Sequence, residues 1–566
     1  MRLFYFTLIF LISCNQETVE DQTEALSFSS DIHIDDEFYF EKGIYQVTDN
    51  VYVAIGYGLA NSILIAGDSG NIIIDTTEDP QLASEINAEF KKISNLPNEA
   101  IIYTHSHVDH WRGAPGFMEE NTKVYAHKTF ERGFFKSNNL LRPILTERGM
   151  KQFGHFLPDS LKRGHGLGFT LKFDFEQPPV IYPTDFFDTQ TSKLTVGGIE
   201  LEIQHTPGET DDQIIIYYPE KEVVISGDNY YMRFPNLYTI RGTSYRDTYS
   251  WFKSVDTMRS YKPKFLVSCH GPFLSGTEII EKRLAIYRDA IQYIHDYAIR
   301  GANLGKTPDE LVEDFEYPFF FKENYDLQEK YGKVSWSIRN VYNGYLGFFD
   351  GRAVNLEPLS NKERSKRILK LIGNREALIE HIDNALLEKD YQWAAELSDI
   401  GLSNFPNDKT LKLLFSKSLE YLSVDEINPI ARNYYLSEAY ELSDKILPNL
   451  EYVFSAEQAK NIPLHSFFDA MGPRLIPEKA KDKFLKIGFD ISDTNEKFSV
   501  VIRNQIAEVS NTYDNSYDAI VTVDSMTWKG ILLKTESSAK AFALGKIKIE
   551  GSYTKFLQFS SLFAND

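Results

Sequence analysis

The sequence predicts an α/β protein with a strand-rich first half, a helical middle and a small α+β end. Three observations lead to this prediction. Short apolar strands alternate with turn signals and one amphipathic helix up to about residue 275. Helical periodicity replaces that pattern from about Gly276. Strand-length apolar runs return near the end of the chain, at 498–502 and 519–523.

Length and composition indicate several packed domains and exclude some partners. The 566 residues suggest three or four domains. A hydrophobic share of 42%, with 40 Phe and 33 Tyr, provides enough apolar side chains for sizeable cores. The formal charge of −21 argues against nucleic acid as a partner, because phosphate binding needs clustered Lys and Arg. A local basic pocket can still bind an anionic small molecule.

The N-terminus has the pattern of an export signal. An apolar run at 3–12 is too short to span a bilayer but suits a signal-peptide core. It ends in Leu-Ile-Ser-Cys14, which resembles the bacterial lipoprotein processing box. This resemblance implies a signal peptide at 1–14, lipidation of Cys14 and a flexible tether at 15–36. We then expect an exported, membrane-anchored lipoprotein, periplasmic or surface-facing, that contacts the membrane only through this anchor. An ordinary export signal and a buried N-terminal strand remain alternatives.

The first half predicts a twisted sheet followed by a helix. Strands are expected at 45–47, 51–55, 62–65 and 71–75, with turns at 48–50 and 67–70. A helix at about 79–94 is expected because Asp79-Pro80 has the usual order of a helix start. Asp75, at the end of its strand, is expected to have a structural role.

Four candidate metal ligands follow the next predicted strand, at 100–103. They fall within six residues, and neutral imidazoles and carboxylates are the groups that bind zinc, iron or manganese. The alternative is a solvated histidine-rich loop without a metal. The four candidates are His105, His107, Asp109 and His110.

Three more candidates each follow a strand-like run. Glu209 comes after 199–203, Asp228 after 222–225, and His270 after 264–268. This repeated placement predicts that the side chains converge at one edge of the fold. The neighbouring Cys269 is expected to point into the core, because adjacent strand residues face opposite sides.

These motifs carry a resemblance to a known family. The order H-x-H-x-D-H, T-P-G, S-G-D and a late strand-end histidine resembles the metallo-β-lactamase superfamily, which implies an αββα sandwich with a two-metal site. Glu209, where most members have histidine, resembles the alkylsulfatase branch, as do the segment 236–242 and Arg246. Two features depart from that branch. The branch usually has Glu at the position of Asp228, and it usually has Thr-Glu-Ala-Pro in the segment that corresponds to 209–212.

The resemblance implies two zinc ions, or other divalent metals. It assigns His105, His107 and Glu209 to one metal. It assigns Asp109, His110 and His270 to the other, and it places Asp228 between the two.

The same resemblance suggests catalytic and substrate-binding residues. Guanidinium groups fit the anionic face of a sulfate ester, so Arg241 and Arg246 are expected to bind substrate. With Asp109 they form the expected catalytic set, and Asn236 and Tyr245 are further substrate-binding candidates. A surface salt bridge is the alternative for either arginine.

The remaining domains also resemble parts of alkylsulfatases. We expect a catalytic domain at 37–290, a helical dimerisation domain at 291–445 and a sterol-carrier-protein-like domain at 455–566. The stretch 331–351, with its Gly-Phe-Phe-Asp-Gly end, implies a homodimer. The C-terminal domain has two alternatives, an apolar groove that suits an alkyl tail or a filled core.

Three functions follow as hypotheses. The first is a binuclear metal-dependent hydrolase that cleaves alkyl sulfate esters, small molecules with an apolar tail, to an alcohol and sulfate. The second is the same site acting on another ester, a lactone or a thioester. The third is a lipid-binding lipoprotein with a silent metal site.

Overall fold

The computed structural model describes residues 41–162, 164–168, 179–446, 457–514 and 516–563. In these ranges two β-sheets and their flanking helices are followed by a helical domain and a small mixed domain. The predicted combination of a metallo-β-lactamase-type sandwich, a helical domain and a mixed α/β domain is confirmed. The predicted signal peptide, Cys14 and the tether lie outside the described residues.

The first sheet contains the hairpins that the turn signals predict. Antiparallel pairing runs from the first strand to the fourth, and parallel pairing from the fourth to the seventh. The strands, in spatial order among the described residues, are β1 (Gly43–Gln46), β2 (Val51–Ile55), β3 (Ser62–Ala66), β4 (Asn71–Ile74), β5 (Asn98–Ile102), β6 (Lys123–His127) and β7 (Asp185–Phe187).

The second sheet contains β8 (Thr191–Val196), β9 (Ile199–His205), β10 (Ile214–Tyr218), β11 (Val223–Ile225), β12 (Phe265–Val267) and β13 (Leu274–Ser275). Its spatial order in the described part of the chain runs from β13 back to β8. It is antiparallel except for one central parallel pair, β11 with β12.

The two sheets share one apolar core. Ile63 and Ile102 from the first sheet and Ile216 and Val267 from the second are fully buried in it. Helices cover the outer faces, so the central strands are buried on both sides and read as continuous apolar runs. The helices of this part are α1 (Pro80–Ile93), α2 (Val108–Trp111), α3 (Phe130–Phe135), α4 (Arg142–Gln152) and α5 (Thr248–Ser260).

The first helix begins where the sequence predicts. The Asp79 side chain accepts from the backbone N–H groups of Gln81 and Leu82, and Pro80 occupies the first turn. Its buried face, with Ile86 and Phe90, packs on the outer side of the first sheet.

The helical domain shares a core with the sandwich. Helix α6 begins at Thr277 and ends at Asn303, so the predicted boundary at 290/291 falls inside a continuous helix. Trp251 of α5, Leu284 of α6 and Val341 belong to one buried cluster. The helices are α6 (Thr277–Asn303), α7 (Pro308–Glu313), α8 (Phe319–Lys322), α9 (Val334–Leu346), α10 (Asn361–Ile372), α11 (Arg375–Leu387), α12 (Tyr391–Asn404), α13 (Lys409–Val424) and α14 (Pro429–Leu442).

The C-terminal domain is a twisted sheet covered by short helices. Its spatial strand order is β16-β15-β14-β17-β18 within the ranges described. The elements are α15 (Leu464–Asp469), α16 (Met471–Arg474), β14 (Leu485–Ile491), β15 (Lys497–Arg503), β16 (Ile506–Ser510), β17 (Ala519–Val523), α17 (Ser525–Leu532), α18 (Ser538–Ala543), β18 (Ile547–Gly551) and α19 (Tyr553–Ser560).

Aromatic rings fill the core of this domain. Phe468 stacks on Phe498 with ring centroids 4.1 Å apart, and Phe489 lies 4.6 Å from Trp528. All four side chains are buried. This packing favours the filled-core alternative over an apolar groove.

A buried lysine holds the linker that precedes the C-terminal domain. The Lys529 ammonium donates to the carbonyl oxygens of Ala459 (3.1 Å), Lys460 (2.8 Å) and Ile462 (2.6 Å). Asn461 in turn donates to the carbonyl of Val180 in the catalytic domain. Within the described ranges, no helix has the length and hydropathy needed to cross a bilayer.

Candidate metal centre

The predicted ligands meet at one edge of the sandwich because they follow neighbouring strands. β4 runs parallel to β5, and β11 runs parallel to β12, so the ends of these strands point to the same side. The histidine loop follows β5, Asp228 lies in the turn after β11, and His270 follows β12. Glu209 reaches the same edge from the loop after β9. Ligand sites at the carboxyl ends of strands are a general property of such sheets.

One half of the centre consists of His105, His107 and Glu209. His105 Nε2 lies 4.0 Å from Glu209 Oε2 and 3.7 Å from Asp228 Oδ2. His107 Nδ1 lies 3.7 Å from Glu209 Oε2. One ligand atom of each of these four residues lies within 4.8 Å of the others, which is close enough for a shared cation.

The other half consists of Asp109, His110 and His270. Asp109 Oδ2 lies 3.6 Å from the Nε2 atoms of both histidines. Asp228 Oδ2 lies 3.3 Å from His110 Nε2 and 3.2 Å from His270 Nε2. Asp228 therefore borders both halves, as the resemblance implies.

Hydrogen bonds on the far side of each ring fix which nitrogen faces the centre. His270 Nδ1 lies 2.9 Å from the carbonyl oxygen of Leu59, and His110 Nδ1 lies 2.6 Å from Asp75 Oδ2. A carbonyl or carboxylate oxygen can only accept, so both Nδ1 atoms carry the proton. The Nε2 atoms therefore face the centre, which is the orientation of metal-binding histidines.

The ligand set fits a metal because its inner atoms lack other partners. Among the described residues, His105 Nε2, His110 Nε2 and Asp228 Oδ1 are buried without a hydrogen-bond partner. Buried polar atoms are nearly always paired in native proteins, so unpaired ring nitrogens around a carboxylate fit a cation site.

A nearby group of similar composition does not fit a metal. Asp75 accepts from the backbone N–H and the hydroxyl of Thr104, and Cys269 Sγ donates to the same carboxylate at 3.0 Å. Its other partner is His110. Every polar atom of the Asp75 carboxylate is thus used in hydrogen bonds, so this group supports His110 instead of holding an ion. The expectations of a structural Asp75 and a core Cys269 agree with this placement.

Burial and the neighbouring carboxylates shift the pKa values of the four histidines in opposite directions. Burial lowers the pKa of His105 and that of His107, the latter to about 4, so both rings are neutral. Burial also lowers the pKa of His270, but Asp228 outweighs it and raises the value to about 9. Burial likewise lowers the pKa of His110, but Asp228 and Asp75 outweigh it and raise that pKa well above its ordinary value. Burial raises the pKa of Asp228, but His270 and His110 hold it well below its usual range.

Arg246 neutralises the charge of Glu209. Its Nη1 atom lies 2.5 Å from Glu209 Oε1 and donates to the carbonyl of Asn236 at 2.6 Å. Both members of the pair are 2% exposed. Removing one partner of such a buried pair typically costs about 3–5 kcal/mol, because the other charge is left unpaired. Arg246 is thus in a buried ion pair with Glu209, and its expected contact with substrate stays a prediction.

The guanidinium group of Arg241, unlike that of Arg246, forms no ion pair with a carboxylate among the contacts described. It is partly exposed, and its Nη2 atom lies 3.3 Å from His107 Nε2. Its backbone N–H donates to Gln152 Oε1 at 2.8 Å, which places the loop but leaves the side chain to face the centre. Asn236, beside Arg246, has a fully buried amide whose two polar atoms have no partner among the described residues.

Tyr245 is placed away from the candidate ligands. Its ring packs on α9, where a Cβ added at Gly344 would lie 2.1 Å from the ring, and it lies 6.2 Å from the ring of Tyr345. No contact recorded for the described residues joins Tyr245 to the ligand set. The expected contact of Tyr245 with substrate stays a prediction.

The sequence did not reveal that Asn229 holds the loop of Glu209. Asn229 donates to the carbonyl of Thr206 (2.7 Å) and accepts from the backbone N–H of Glu209 (3.3 Å). A Cβ at Gly208 would lie 2.0 Å from Asn229 Oδ1, so only glycine permits this approach. The position of Asn229 directly after Asp228 was the available signal, but a one-residue neighbour carries no spatial information by itself.

Comparison with known families defines the class of this fold and site. A family model described as "Metallo-beta-lactamase superfamily" matches residues 55–270. Models described as "Alkyl sulfatase dimerisation" and "Alkyl sulfatase C-terminal" match residues 307–445 and 453–565. Together with the ligand order at the strand ends, these matches define a hydrolase of the metallo-β-lactamase superfamily, and they support binding of divalent metal.

Individual relatives narrow this class. A linear primary-alkylsulfatase from Pseudomonas sp. is 33% identical over 517 residues, which cover 88% of this chain and 98% of the relative. An alkyl/aryl-sulfatase from Saccharomyces cerevisiae is 26% identical and covers 92% and 82% of the two chains. The structure of the stereoselective inverting sec-alkylsulfatase Pisa1 from Pseudomonas sp. superposes with a TM-score of 0.87 at 26% identity, over 93% and 85% of the chains. The chain belongs to the alkylsulfatase family.

Asp75→Asn should weaken metal binding. The amide cannot supply the anionic acceptor that orients His110, and loss of such a partner typically lowers metal affinity about 10–100-fold. The affinity of the metal-free protein for zinc can be measured by competition with a chelator. Asp79→Asn, at the exposed start of α1, is the matched control and should retain wild-type affinity. Unchanged zinc affinity in Asp75→Asn would show that the carboxylate does not support the centre.

Proposed function

We propose that this protein hydrolyses alkyl sulfate esters to an alcohol and inorganic sulfate with two divalent metal ions, most simply zinc. The observation that carries this proposal is the pair of ligand groups that share Asp228 and face Arg241. The relatives named as alkylsulfatases support the substrate class.

In this proposal one metal is held by His105, His107 and Glu209, and the other by Asp109, His110 and His270, with Asp228 between them. A bound pair of divalent cations supplies a water molecule of lowered pKa as nucleophile and polarises the sulfate oxygens. We assign to Asp109, the most exposed carboxylate among the candidate ligands at 9%, the further role of orienting that water.

Arg241 binds the anionic head of the substrate. In the structure its Nη2 atom lies 3.3 Å from His107 Nε2 and donates a hydrogen bond to that nitrogen. When His107 acts as a ligand through Nδ1, the ring proton moves to Nε2, and that contact is no longer favourable. The guanidinium group is then available for the sulfate oxygens, to which it can donate two parallel hydrogen bonds. Arg246 stays on Glu209 and limits the negative charge that the substrate meets.

Arg241→Gln should lower the rate of sulfate release from dodecyl sulfate by about 100-fold, roughly 3 kcal/mol, by analogy with the loss of one donor to a developing oxyanion. Free sulfate is measured directly for the metal-loaded enzyme. Arg259, on α5, forms an ion pair with Glu281 of α6. Arg259→Gln is the matched control and should keep the wild-type rate.

The same assay separates the alternative substrates. Wild-type enzyme that releases no sulfate from alkyl sulfates of several chain lengths, but cleaves an ester, a lactone or a thioester, would contradict the sulfatase proposal. Retention of the full rate in Arg241→Gln would remove Arg241 from the substrate site.

We further propose a homodimer that forms through the segment 345–359. The model described as alkyl sulfatase dimerisation covers this segment, and its large apolar side chains face solvent within a single chain. Exposed apolar area of this kind marks interaction surfaces. The exposed side chains are Tyr345, Leu346, Phe348, Val354, Leu356 and Leu359, and Phe348 is 86% exposed.

The double variant Phe348→Ser/Leu356→Ser should convert a dimer into a monomer, because it removes apolar area from the proposed interface. Light scattering after size-exclusion chromatography measures the mass. Leu371→Ser, which is 87% exposed on α10 outside the segment, is the control and should remain dimeric. A double variant that keeps the mass of two chains would place the interface elsewhere.

Export and lipidation at Cys14 are also proposals. They are supported by the N-terminal sequence alone, because Cys14 lies outside the described residues. An intact mass of the protein isolated from its native membrane should correspond to a diacylated or triacylated chain that begins at Cys14. A chain that begins at Met1 without a lipid would contradict the proposal.

A further inference from the structure

A short backbone segment touches His270 from outside the ligand set. We call residues 56–61, between β2 and β3, the strap. The carbonyl oxygen of Leu59, in the middle of the strap, accepts from His270 Nδ1 at 2.9 Å. Because this bond places a ring proton on Nδ1, it also keeps the Nε2 atom directed at Asp109 and Asp228.

The strap is tied to the whole turn that carries His270. The backbone N–H of Asn61 donates to the carbonyl of Cys269 at 2.7 Å. The Asn61 side chain donates to the carbonyls of Ser268 (3.0 Å) and Gly271 (2.8 Å). A shift of the strap would therefore move His270 with it.

One buried carboxylate holds the strap in place. Glu78 is 4% exposed, and its two oxygens lie 2.9 and 3.1 Å from the backbone N–H of Leu59. The hydroxyl of Thr77 donates to the same carboxylate at 2.7 Å. A carboxylate acceptor makes a stronger hydrogen bond to a backbone N–H than a neutral group does.

The packing around this bond leaves no space for adjustment. A Cβ added at Gly58 would lie 2.0 Å from Thr77 Oγ1 and 2.9 Å from both Glu78 oxygens. Glycine at position 58 therefore allows the strap to approach the carboxylate closely enough for Leu59 to donate to it.

We propose that Glu78 is a positioning residue of the metal centre, which acts through Leu59 on the place and tautomer of His270. It controls the half formed by Asp109, His110 and His270, and it leaves the half formed by His105, His107 and Glu209 unaffected. This inference rests on the proposed metal centre but not on the proposed sulfate substrate.

The selectivity for one half follows from the contacts. The strap touches the His270 turn through Leu59 and Asn61. The loops of His105 and Glu209 are held by other groups, Thr104 and Asn229 respectively. A role of Glu78 in folding alone would weaken both halves together.

The test is stepwise zinc affinity, measured on metal-free protein by competition with a chelator. Glu78→Ala should lower the affinity for one of two zinc ions about 10–100-fold, the range for loss of an outer partner of a metal-binding histidine. Glu78→Gln should lower this zinc affinity less than Glu78→Ala does, because its amide oxygen can still accept from the backbone N–H of Leu59. Gly58→Ala displaces the strap without removing the carboxylate and should reproduce the selective loss. Glu85→Gln, exposed on α1, is the control and should match wild type.

Two backgrounds identify the affected metal. In His105→Ala, the zinc that remains belongs to the His270 half, and addition of Glu78→Ala should weaken it by the same factor. In His270→Ala, addition of Glu78→Ala should change nothing. Equal weakening in both backgrounds, or none in either, would overturn the proposal. Wild-type protein that binds two zinc ions but releases no sulfate would contradict the sulfatase proposal and leave this inference intact.

Discussion

The concentration of buried carboxylates around four imidazoles is the constraint on which the rest of the centre depends. Asp109, Glu209 and Asp228 are all 9% exposed or less, and burial of a carboxylate without a counter-charge is strongly unfavourable. Arg246 balances Glu209 through a direct contact. The remaining negative charge outweighs burial and holds the pKa values of His110 and His270 above the ordinary value, because a positive ring is attracted by Asp228. The ligand set is thus built for positive ions.

A single turn after β4 organises the surroundings of that charge. Asp75 accepts from His110 Nδ1 and so orients the ring, and the Thr76 hydroxyl donates to the backbone carbonyl of His110. Glu78 accepts from the backbone N–H of Leu59 and so holds the strap. Asp75 and Thr77 have φ angles of 53° and 57°, a region that residues other than glycine rarely adopt. Such backbone is typically less stable by about 1–3 kcal/mol per residue and persists where the surroundings enforce it. Here the hydrogen bonds to His110, Thr104 and Leu59 do so.

The strands and the ligand loop could be predicted from the sequence because both depend on local pattern. Apolar runs such as 72–74 and 100–103 have the composition of buried strands, and the strand-end position of the histidine loop follows directly. The partners of single charged side chains could not be predicted in this way. Arg246 and Tyr245 are adjacent in sequence, yet one contacts Glu209 and the other packs on α9.

The support for His270 was also beyond sequence reasoning, because Leu59 precedes it by 211 positions and contributes only a backbone oxygen. Every residue type has a backbone carbonyl, so this contact cannot be recognised from the type of residue at position 59. Helix α6 shows a different limit. Its start at Thr277 follows the periodicity that begins at about Gly276, but the domain boundary expected at 290/291 divides a helix that packs on both α5 and α9.

The overall charge of −21 makes the local arrangement of cations important for an anionic substrate. Arg241 supplies one fixed positive group at the centre, and the proposed metals supply the rest.

The most direct test of the account is the metal content of the purified chain, measured by elemental analysis together with the variants His105→Ala and His270→Ala. The account predicts about two equivalents in the wild type and about one in each single variant, because each histidine belongs to a different half. One equivalent or fewer in the wild type, or no loss in either variant, would contradict it.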